Sequence, residues 1–105
     1  MIKKITADEL QELVIDKKNP VVLDFGAEYC GPCKKLAPII ADLAGELAGQ
    51  VDFYEVDAGA EPGIAQQYGV MSLPTLLMFK DGDVKERMVG LAAKAKILKK
   101  INGLL

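Results

Sequence analysis

The distribution of apolar and polar residues along the chain predicts short strands that alternate with helices. Three apolar or alternating runs are typical of strands, and they cover about residues 21–25, 51–56 and 75–79. Asp81-Gly82, after the third run, is a strong hairpin signal and predicts an antiparallel partner strand over residues 84–89. The element order that follows from the whole pattern begins with a further strand ahead of the first helix.

Apolar residues at helical spacing predict four helices. The first covers about residues 7–17, and the second runs from the segment Cys30–Cys33, called the cysteine segment below, to about residues 48–49. The third covers residues 62–68 and the fourth residues 93–105. The capping-box sequence Thr6-Ala7-Asp8-Glu9 predicts the start of the first helix, and Asn19-Pro20 predicts its end. Pro38 lies inside the second helical pattern, where it removes one backbone hydrogen bond. The second helix is therefore expected to bend there without stopping.

The size of the chain and the order of its elements predict the fold class. With 105 residues, half of them apolar, the chain is long enough for one packed core, so a single domain over residues 1–105 is expected. Strands that alternate with helices and end in a hairpin indicate an α/β fold. Its centre would be a mixed β-sheet of about five strands, flanked on both faces by about four helices.

Charge and hydropathy exclude several classes of function. Lys and Arg total 13 against 15 Asp and Glu, a formal net charge of −2, so neither nucleic acid nor an anionic membrane is an expected partner. The longest apolar stretches are far shorter than the roughly 20 residues that span a bilayer. Residues 1–6 lack the apolar core and the cleavage site of a secretory signal, so a cytoplasmic protein is expected.

The two cysteines, Cys30 and Cys33, carry the candidate chemistry. If they lie on the first turn of a helix, their side chains share one face and their Cα atoms are about 5 to 6 Å apart, within disulfide range. The N-terminus of a helix stabilises a thiolate, so Cys30, which is nearer to that end, is expected to be the more acidic thiol. The chain contains no histidine, which excludes Cys–His nucleophile pairs.

Two other roles for the cysteine pair are less well supported. A zinc site needs about four ligands, and two cysteines without histidine would supply them only if two chains shared the ion. No metal site is therefore predicted. A purely structural disulfide between Cys30 and Cys33 would close a very short loop and would constrain the unfolded chain very little.

Around these cysteines the sequence resembles a known family. The segment Val22–Lys34, which contains Cys30-Gly31-Pro32-Cys33, resembles the active-site segment of thioredoxins, and this tetrapeptide is its most specific part. The resemblance extends over essentially the whole chain, at Pro38, Tyr68-Gly69-Val70, Leu73-Pro74-Thr75, Phe79-Lys80-Asp81-Gly82 and Val89-Gly90. It implies a thioredoxin fold and the activity of a protein-disulfide reductase that supports cell redox homeostasis.

Asp24 lies in the middle of an apolar strand run, where an ionised carboxylate is costly. Periodicity alone leaves open whether its side chain faces solvent or the interior. The resemblance implies that Asp24 is buried behind Cys33 and relays protons to it through water.

Pro74 precedes an apolar strand run, and the sequence alone is compatible with an ordinary proline at the start of a strand. The resemblance implies a cis peptide bond before Pro74 that faces the cysteines, with the backbone of Leu73 free to pair with an extended substrate segment. On sequence alone, each residue of the surrounding patch could equally be ordinary surface. The resemblance assigns to this patch Tyr29, Gly31, Pro32, Gly90 and Leu91. The dipeptide between the cysteines would also tune their redox properties.

Three residues depart from the thioredoxin pattern. Tyr29 replaces the usual tryptophan before the first cysteine, and Gly26 replaces an aromatic residue, so the support beneath the active-site turn is smaller. Phe53 stands where many thioredoxins carry a lysine near the buried aspartate. Without that cation Asp24 is expected to be harder to ionise, and a Phe53→Lys variant is expected to lower its pKa.

The cysteine spacing and the resemblance together predict the reaction. The Cys30 thiolate attacks a disulfide of a partner protein, and Cys33, with help from Asp24, resolves the mixed disulfide. The chain is expected to bind no cofactor, since its redox group is the Cys30–Cys33 disulfide. The resemblance implies that a separate thioredoxin reductase supplies the electrons and that disulfide-containing proteins are the substrates. A monomer is expected, since a dimer is possible but nothing in the sequence demands one.

Two alternatives to the reductase are a thioredoxin-fold binding module and a thiol oxidase or isomerase. In a binding module the docking surface would hold a partner and the redox chemistry would be incidental, but the intact cysteine pair argues against this. An oxidase or isomerase usually carries a different dipeptide between its cysteines. Gly31-Pro32 and the missing export signal favour reduction.

Overall fold

The computed structural model of the protein describes residues 2–105, and in this part of the chain five strands form one mixed sheet. The strands are Lys3–Lys4 (β1), Val21–Gly26 (β2), Asp52–Asp57 (β3), Thr75–Lys80 (β4) and Asp83–Val89 (β5). Their order across the sheet is β1-β3-β2-β4-β5. β3 runs parallel to β1 and β2, and β4 runs antiparallel to β2 and β5. β2, which leads into the cysteine segment, is the central strand.

Within residues 2–105, four α-helices pack on this sheet, two on each face. They are Ala7–Leu10 (α1), Gly31–Glu46 (α2), Pro62–Gln67 (α3) and Lys94–Asn102 (α4). Residues of α2 and α4 form one apolar cluster with Val22 and Met78 of the sheet. Residues of α1 and α3 form the other with Leu23 and Leu77. The predicted α/β class, with a mixed sheet and helices on both faces, is therefore confirmed.

Successive residues of β2 alternate between the two clusters. Val22 joins the cluster of α2 and α4, whereas Leu23 and Phe25 join the cluster of α1 and α3. β2 has a strand on either side and helices on both faces, so all of its residues are buried. This central position explains why the run that predicted the strand is apolar. Asp24 is the one ionisable residue in it.

The first helix is less regular than the predicted span of residues 7–17. After α1 the chain continues as a π-helical segment over Gln11–Ile15, and the Asp16 N–H donates to the Gln11 carbonyl, five residues earlier, at 2.9 Å. The Gln11 side-chain amide also donates to Asp16 Oδ1, at 2.8 Å. This side-chain bond spans the same five residues and so supports the wider turn.

The second helix continues through Pro38, as expected, but it ends at Glu46 and not near residues 48–49. Residues 47–50 form a turn. Gly49 has a φ of 86° in this turn, a left-handed conformation that glycine adopts without a steric penalty. The apolar pattern continues into the turn, because Leu47 is buried in the core without being helical.

The longest helix, α2, has 16 residues and includes polar and charged side chains. None of the helices within residues 2–105 combines the length and the apolar character that crossing a membrane requires.

Candidate active site

The cysteine segment lies at the junction between the end of β2 and the start of α2. Cys30 has an extended backbone conformation, with φ −93° and ψ 107°, and caps the helix, while Cys33 lies in its first turn. The two residues are joined in a disulfide with their Cα atoms 5.3 Å apart, within the expected range. Pro32 also lies in the first turn, where a backbone N–H has no partner inside the helix. Proline, which lacks this N–H, therefore costs no helical hydrogen bond there.

The sulfur of Cys30 lies at the N-terminus of α2. It accepts a hydrogen bond from the backbone N–H of Cys33, at 3.2 Å, which is one of the N–H groups that have no partner inside the helix. In the reduced protein, this N–H and the helix dipole stabilise a thiolate at the same sulfur. Both cysteines are half-buried, and Gly31 and Pro32 between them are exposed. The disulfide therefore lies at the surface.

Asp24 is buried below the cysteine segment and does not face solvent. Only 7% of its surface is exposed, and its Oδ1 atom has no hydrogen-bond partner among residues 2–105. Burial, and to a smaller extent the charge of Glu55, raise the pKa of Asp24 from its ordinary value of 3.8 to about 7. The carboxyl group thus exchanges protons near neutral pH.

A cavity of about 160 Å³ is shared by Asp24 and Cys33. Gly26 at the end of β2, Ala37 of α2 and Glu55 of β3 also line this cavity. Its size and its polar groups are sufficient for ordered water. Among residues 2–105, no cluster of three or more Cys, Asp or Glu side chains is arranged to hold a metal ion.

The residue opposite Asp24 on β3 is Glu55, not Phe53. The parallel register pairs Asp24 with Glu55 and Val22 with Phe53. Phe53 is buried in the apolar cluster of α2 and α4, so the expectation that it stands beside Asp24 is wrong. A lysine at position 53 would enter this cluster on the same face as Asp24 but diagonal to it, so the effect of Phe53→Lys on the Asp24 pKa stays a prediction. Glu55 was missed because the register between two strands is not visible in the spacing of either one.

The peptide bond between Leu73 and Pro74 is cis, as the family resemblance implies. The strand register brings Pro74 to the sheet edge where β2 ends, because the next residue, Thr75, pairs with Phe25. The Pro74 carbonyl accepts a hydrogen bond from the Gly90 N–H, at 2.9 Å. The segment that follows β5 therefore lies at the same edge as the cysteine segment.

Exposed apolar side chains are present in the segments at this edge. Tyr29, next to Cys30, is 85% exposed, and Leu91, next to Gly90, is 48% exposed. Met71, in the loop before Leu73, is 96% exposed. It is absent from the predicted patch because nothing in the sequence pattern marks an exposed methionine in a loop. The Leu73 side chain is half-buried and packs against the cluster of α1 and α3.

Known proteins are similar to this chain over most of its length. The sequence model of the family Thioredoxin matches residues 1–103. The relative named "Thioredoxin" from Rickettsia felis is 38% identical over 102 residues, which are 97% of this chain and 97% of the relative. "Thioredoxin C-2" of Corynebacterium nephridii is 40% identical over 96 residues, which are 91% of this chain and 89% of the relative.

A plant relative covers the chain in the same way but is longer. "Thioredoxin M-type, chloroplastic" of Pisum sativum is 39% identical over 100 residues, 95% of this chain, and the chain spans only 58% of the length of that relative. The family match and the Rickettsia relative both extend over the cysteine segment, the buried aspartate and the cis-proline edge. This chain therefore belongs to the thioredoxin family.

Proposed function

We propose that this chain is a protein-disulfide reductase, which reduces disulfides of partner proteins through the Cys30–Cys33 dithiol and so supports cell redox homeostasis. The proposal rests on one observation: Cys30 Sγ, joined to Cys33, accepts a hydrogen bond at the N-terminus of α2. A sulfur in that position is stabilised as a thiolate, the form that attacks disulfides. The relatives named thioredoxin support the same activity.

The reaction passes through a mixed disulfide. The Cys30 thiolate forms a bond to one sulfur of the partner's disulfide, the S–S bond of the partner breaks, and its second sulfur leaves as a thiolate. Cys33 then loses its proton and attacks Cys30 Sγ, which releases the first sulfur of the partner. Two electrons have passed to the partner, and the Cys30–Cys33 disulfide has formed again.

Asp24 acts as the proton relay for Cys33. The cavity that both residues line has room for a bridging water, which supports a path between Asp24 Oδ1 and Cys33 Sγ. A carboxyl group with a pKa of about 7 gives and takes protons at neutral pH with little cost in either direction. Asp24 thus accepts a proton from the Cys33 thiol when the partner is released and returns it when the disulfide is reduced.

The partner docks at the cis-proline edge. Leu73 lies outside the strands, and among residues 2–105 its backbone makes no turn or loop hydrogen bond, so it is available to an extended segment of the partner. Exposed apolar groups next to the cysteines supply contact area. The docking patch consists of Tyr29, Leu73, Pro74, Gly90 and Leu91. Gly31 and Pro32, exposed between the cysteines, tune the redox properties of the dithiol.

The chain works as a monomeric single domain, residues 1–105, and carries electrons without a bound cofactor. A separate thioredoxin reductase restores the dithiol. We place the protein in the cytoplasm, because a reversible dithiol works in a compartment that keeps thiols reduced. Relatives named as chloroplast proteins make a reducing organelle the alternative. Fractionation of the source cells, followed by size-exclusion chromatography of the native protein, tests compartment and oligomeric state.

Catalytic reduction of insulin by dithiothreitol tests the activity. Trace amounts of the wild type are expected to give many turnovers, and Cys30→Ser is expected to give none. Cys33→Ser, reduced beforehand and freed of dithiothreitol, is expected to accumulate the mixed disulfide with insulin, because the resolving thiol is missing. If the wild type were inactive although its Cys30–Cys33 disulfide forms and is reduced normally, the binding-module alternative would replace the reductase.

A further inference from the structure

Lys4, Glu55 and Asp24 form a row across the sheet. Lys4 of β1 pairs with Glu55 of β3, and Glu55 pairs with Asp24 of β2. Paired residues of neighbouring strands point to the same face, so all three side chains lie on the face that α2 and α4 cover. On the other side of Asp24 the row continues with Leu76 of β4, which is apolar. Within this row, the charges that act on Asp24 come from the β3 side.

Burial increases along this row from Lys4 to Asp24. The Lys4 side chain is 56% exposed and that of Glu55 is 35% exposed, whereas Asp24 is almost fully buried. Lys4 Nζ lies 4.0 Å from Glu55 Oε1, so the cation partly neutralises Glu55 at the solvent end of the row. Two neighbouring carboxylates disfavour each other, and the more buried of the two holds its proton more strongly.

The charged and titratable groups that face Asp24 around the cavity come from four parts of the fold. They are Lys4 of β1, Glu28 of the loop after β2, Cys33 and Lys34 of α2, and Glu55 and Asp57 of β3. Glu28 and Lys34 are exposed, so water and salt screen their charges. Cys33 is in the disulfide and carries no charge in this state.

Asp57 has a different environment from Glu55. It lies two residues further along β3, opposite Gly26. Its Oδ1 atom accepts hydrogen bonds from the backbone N–H groups of Gly59, at 2.9 Å, and Ala60, at 3.2 Å. The loop after β3 therefore holds this carboxylate, whereas Glu55 is the carboxylate directly opposite Asp24.

We propose that Glu55 is a positioning residue for thiol exchange, which acts through Asp24 and holds the proton on that carboxyl group, and that Lys4 limits this effect. The proposal rests on the reductase function proposed above. The charge of Glu55 is the second cause, after burial, of the raised Asp24 pKa. Strand pairing, burial and the shared cavity point to the same residue independently.

The role of Glu55 follows from the two directions of proton transfer. When the electron donor reduces the Cys30–Cys33 disulfide, Cys33 leaves as a thiolate and takes a proton from Asp24. When the partner is released, Cys33 must lose that proton to an ionised Asp24. By favouring the protonated carboxyl group, Glu55 assists the first step and slows the second below neutral pH.

An NMR titration of the Asp24 carboxyl carbon in the oxidised protein tests the coupling directly. Glu55→Gln removes the neighbouring negative charge and is expected to lower the titration midpoint by about 0.5 to 1 pH unit. Lys4→Gln removes the neutralising cation and is expected to raise the midpoint by a smaller amount. Glu55→Asp keeps the charge and is expected to stay close to the wild type.

Glu86→Gln is the matched control. Glu86 of β5 forms an ion pair with Lys100 at 3.6 Å, and its side chain is exposed to nearly the same extent as that of Glu55, 38% against 35%. The substitution makes the same change in net charge outside the cavity, so the Asp24 midpoint is expected not to move. Equal midpoints for Glu55→Gln and Glu86→Gln would overturn the proposal.

The pH profile of insulin release from the mixed disulfide connects the titration with the reaction. In Glu55→Gln the midpoint of this profile is expected to shift to lower pH by the same amount as the NMR midpoint. If Glu55→Gln reduces insulin and neither its NMR midpoint nor the midpoint of its pH profile moves, the role of Glu55 is refuted but the reductase function is not. Absence of insulin reduction at every pH, with a shifted NMR midpoint, would refute the reductase function and leave only the electrostatic coupling.

Discussion

Gly26 packs directly against Cys33: a Cβ atom on Gly26 would lie 3.4 Å from Cys33 Cβ and 3.5 Å from Cys33 Sγ. The end of β2 therefore approaches the first turn of α2 at a residue without a side chain. This close approach leaves the Cys33 sulfur at the border of the cavity that it shares with Asp24. The aromatic residue that the family resemblance leads one to expect at this position would have to begin in the same narrow space.

Gly26→Ala is expected to be tolerated, because its Cβ would meet Cys33 at ordinary contact distances. Gly26 is not among the residues with a positive φ, so alanine fits the backbone of the strand. Alanine also restricts the unfolded chain, and the free energy of unfolding is expected to rise by about 0.4 to 1 kcal/mol. Urea denaturation measures this change, and insulin reduction within about twofold of the wild type is expected. A large loss of activity in a stable variant would mean that Cys33 needs this space during exchange.

Asp24→Asn is expected to stabilise the protein at alkaline pH and much less at acid pH. The carboxyl group ionises near pH 3.8 in the unfolded chain and near pH 7 in the folded protein. Between these values the folded protein binds the additional proton, so the free energy of unfolding of the wild type falls as the pH rises. Above pH 7 the free energy of unfolding of the wild type is about 4 kcal/mol lower than it is below pH 3.8, because of this one group. Asparagine does not ionise, so the variant avoids this loss.

Urea denaturation of the wild type and Asp24→Asn at pH 4, 6 and 8 measures this difference. The stability advantage of the variant is expected to grow with each step in pH. A difference that stays constant over the three pH values would contradict the raised pKa of Asp24 and would leave only a change in packing.

The parts of the fold that could be predicted are those whose pattern is local. The runs over residues 21–25 and 75–79 predicted β2 and β4 nearly to the residue, because strands that are buried on both faces are apolar throughout. The π-helical segment Gln11–Ile15 could not be predicted, since its apolar spacing also fits an α-helix. The hydrogen bond between the Gln11 and Asp16 side chains accompanies this segment. The spacing of polar residues does not show which of them bond to each other.

The same distinction applies to the candidate site. Cys30 and Cys33 are three residues apart, so their geometry follows from the helix that they start. The neighbour of Asp24 on β3 depends on the register between two strands that are far apart in the sequence. A shift by two residues exchanges Phe53 for Glu55 on the same face, and with it an apolar neighbour for a charged one.

Gly82→Ala is expected to destabilise the protein more than Gly49→Ala. Both glycines have a positive φ, 82° and 86°, so alanine brings the same left-handed strain of about 1 kcal/mol at either position. A Cβ on Gly82 would also lie 2.6 Å from the carbonyl oxygen of Ile15, whereas nothing lies within 4 Å of a Cβ on Gly49. The hairpin and the π-helical segment would have to separate, at a further cost of about 1 to 3 kcal/mol. Urea denaturation of the two variants isolates this contact, and equal losses would show that the backbone adapts freely.

Leu91→Lys is expected to impair the reduction of a protein disulfide while leaving that of a small disulfide unchanged. Leu91 follows Gly90, whose N–H is bonded to the Pro74 carbonyl, so it lies beside the proposed docking edge. A charge in an apolar patch must be desolvated when a partner covers it, and kcat/KM for insulin is expected to fall about fivefold, mainly through KM. The neutral disulfide of 2-mercaptoethanol is too small to cover the patch, so its reduction is expected to continue at the wild-type rate.

Leu105→Lys, the same change at a similarly exposed leucine beyond the other end of α4, is the control, with 54% exposure against 48%. Equal effects of the two substitutions on insulin reduction would exclude Leu91 from the docking surface and would attribute the loss to net charge.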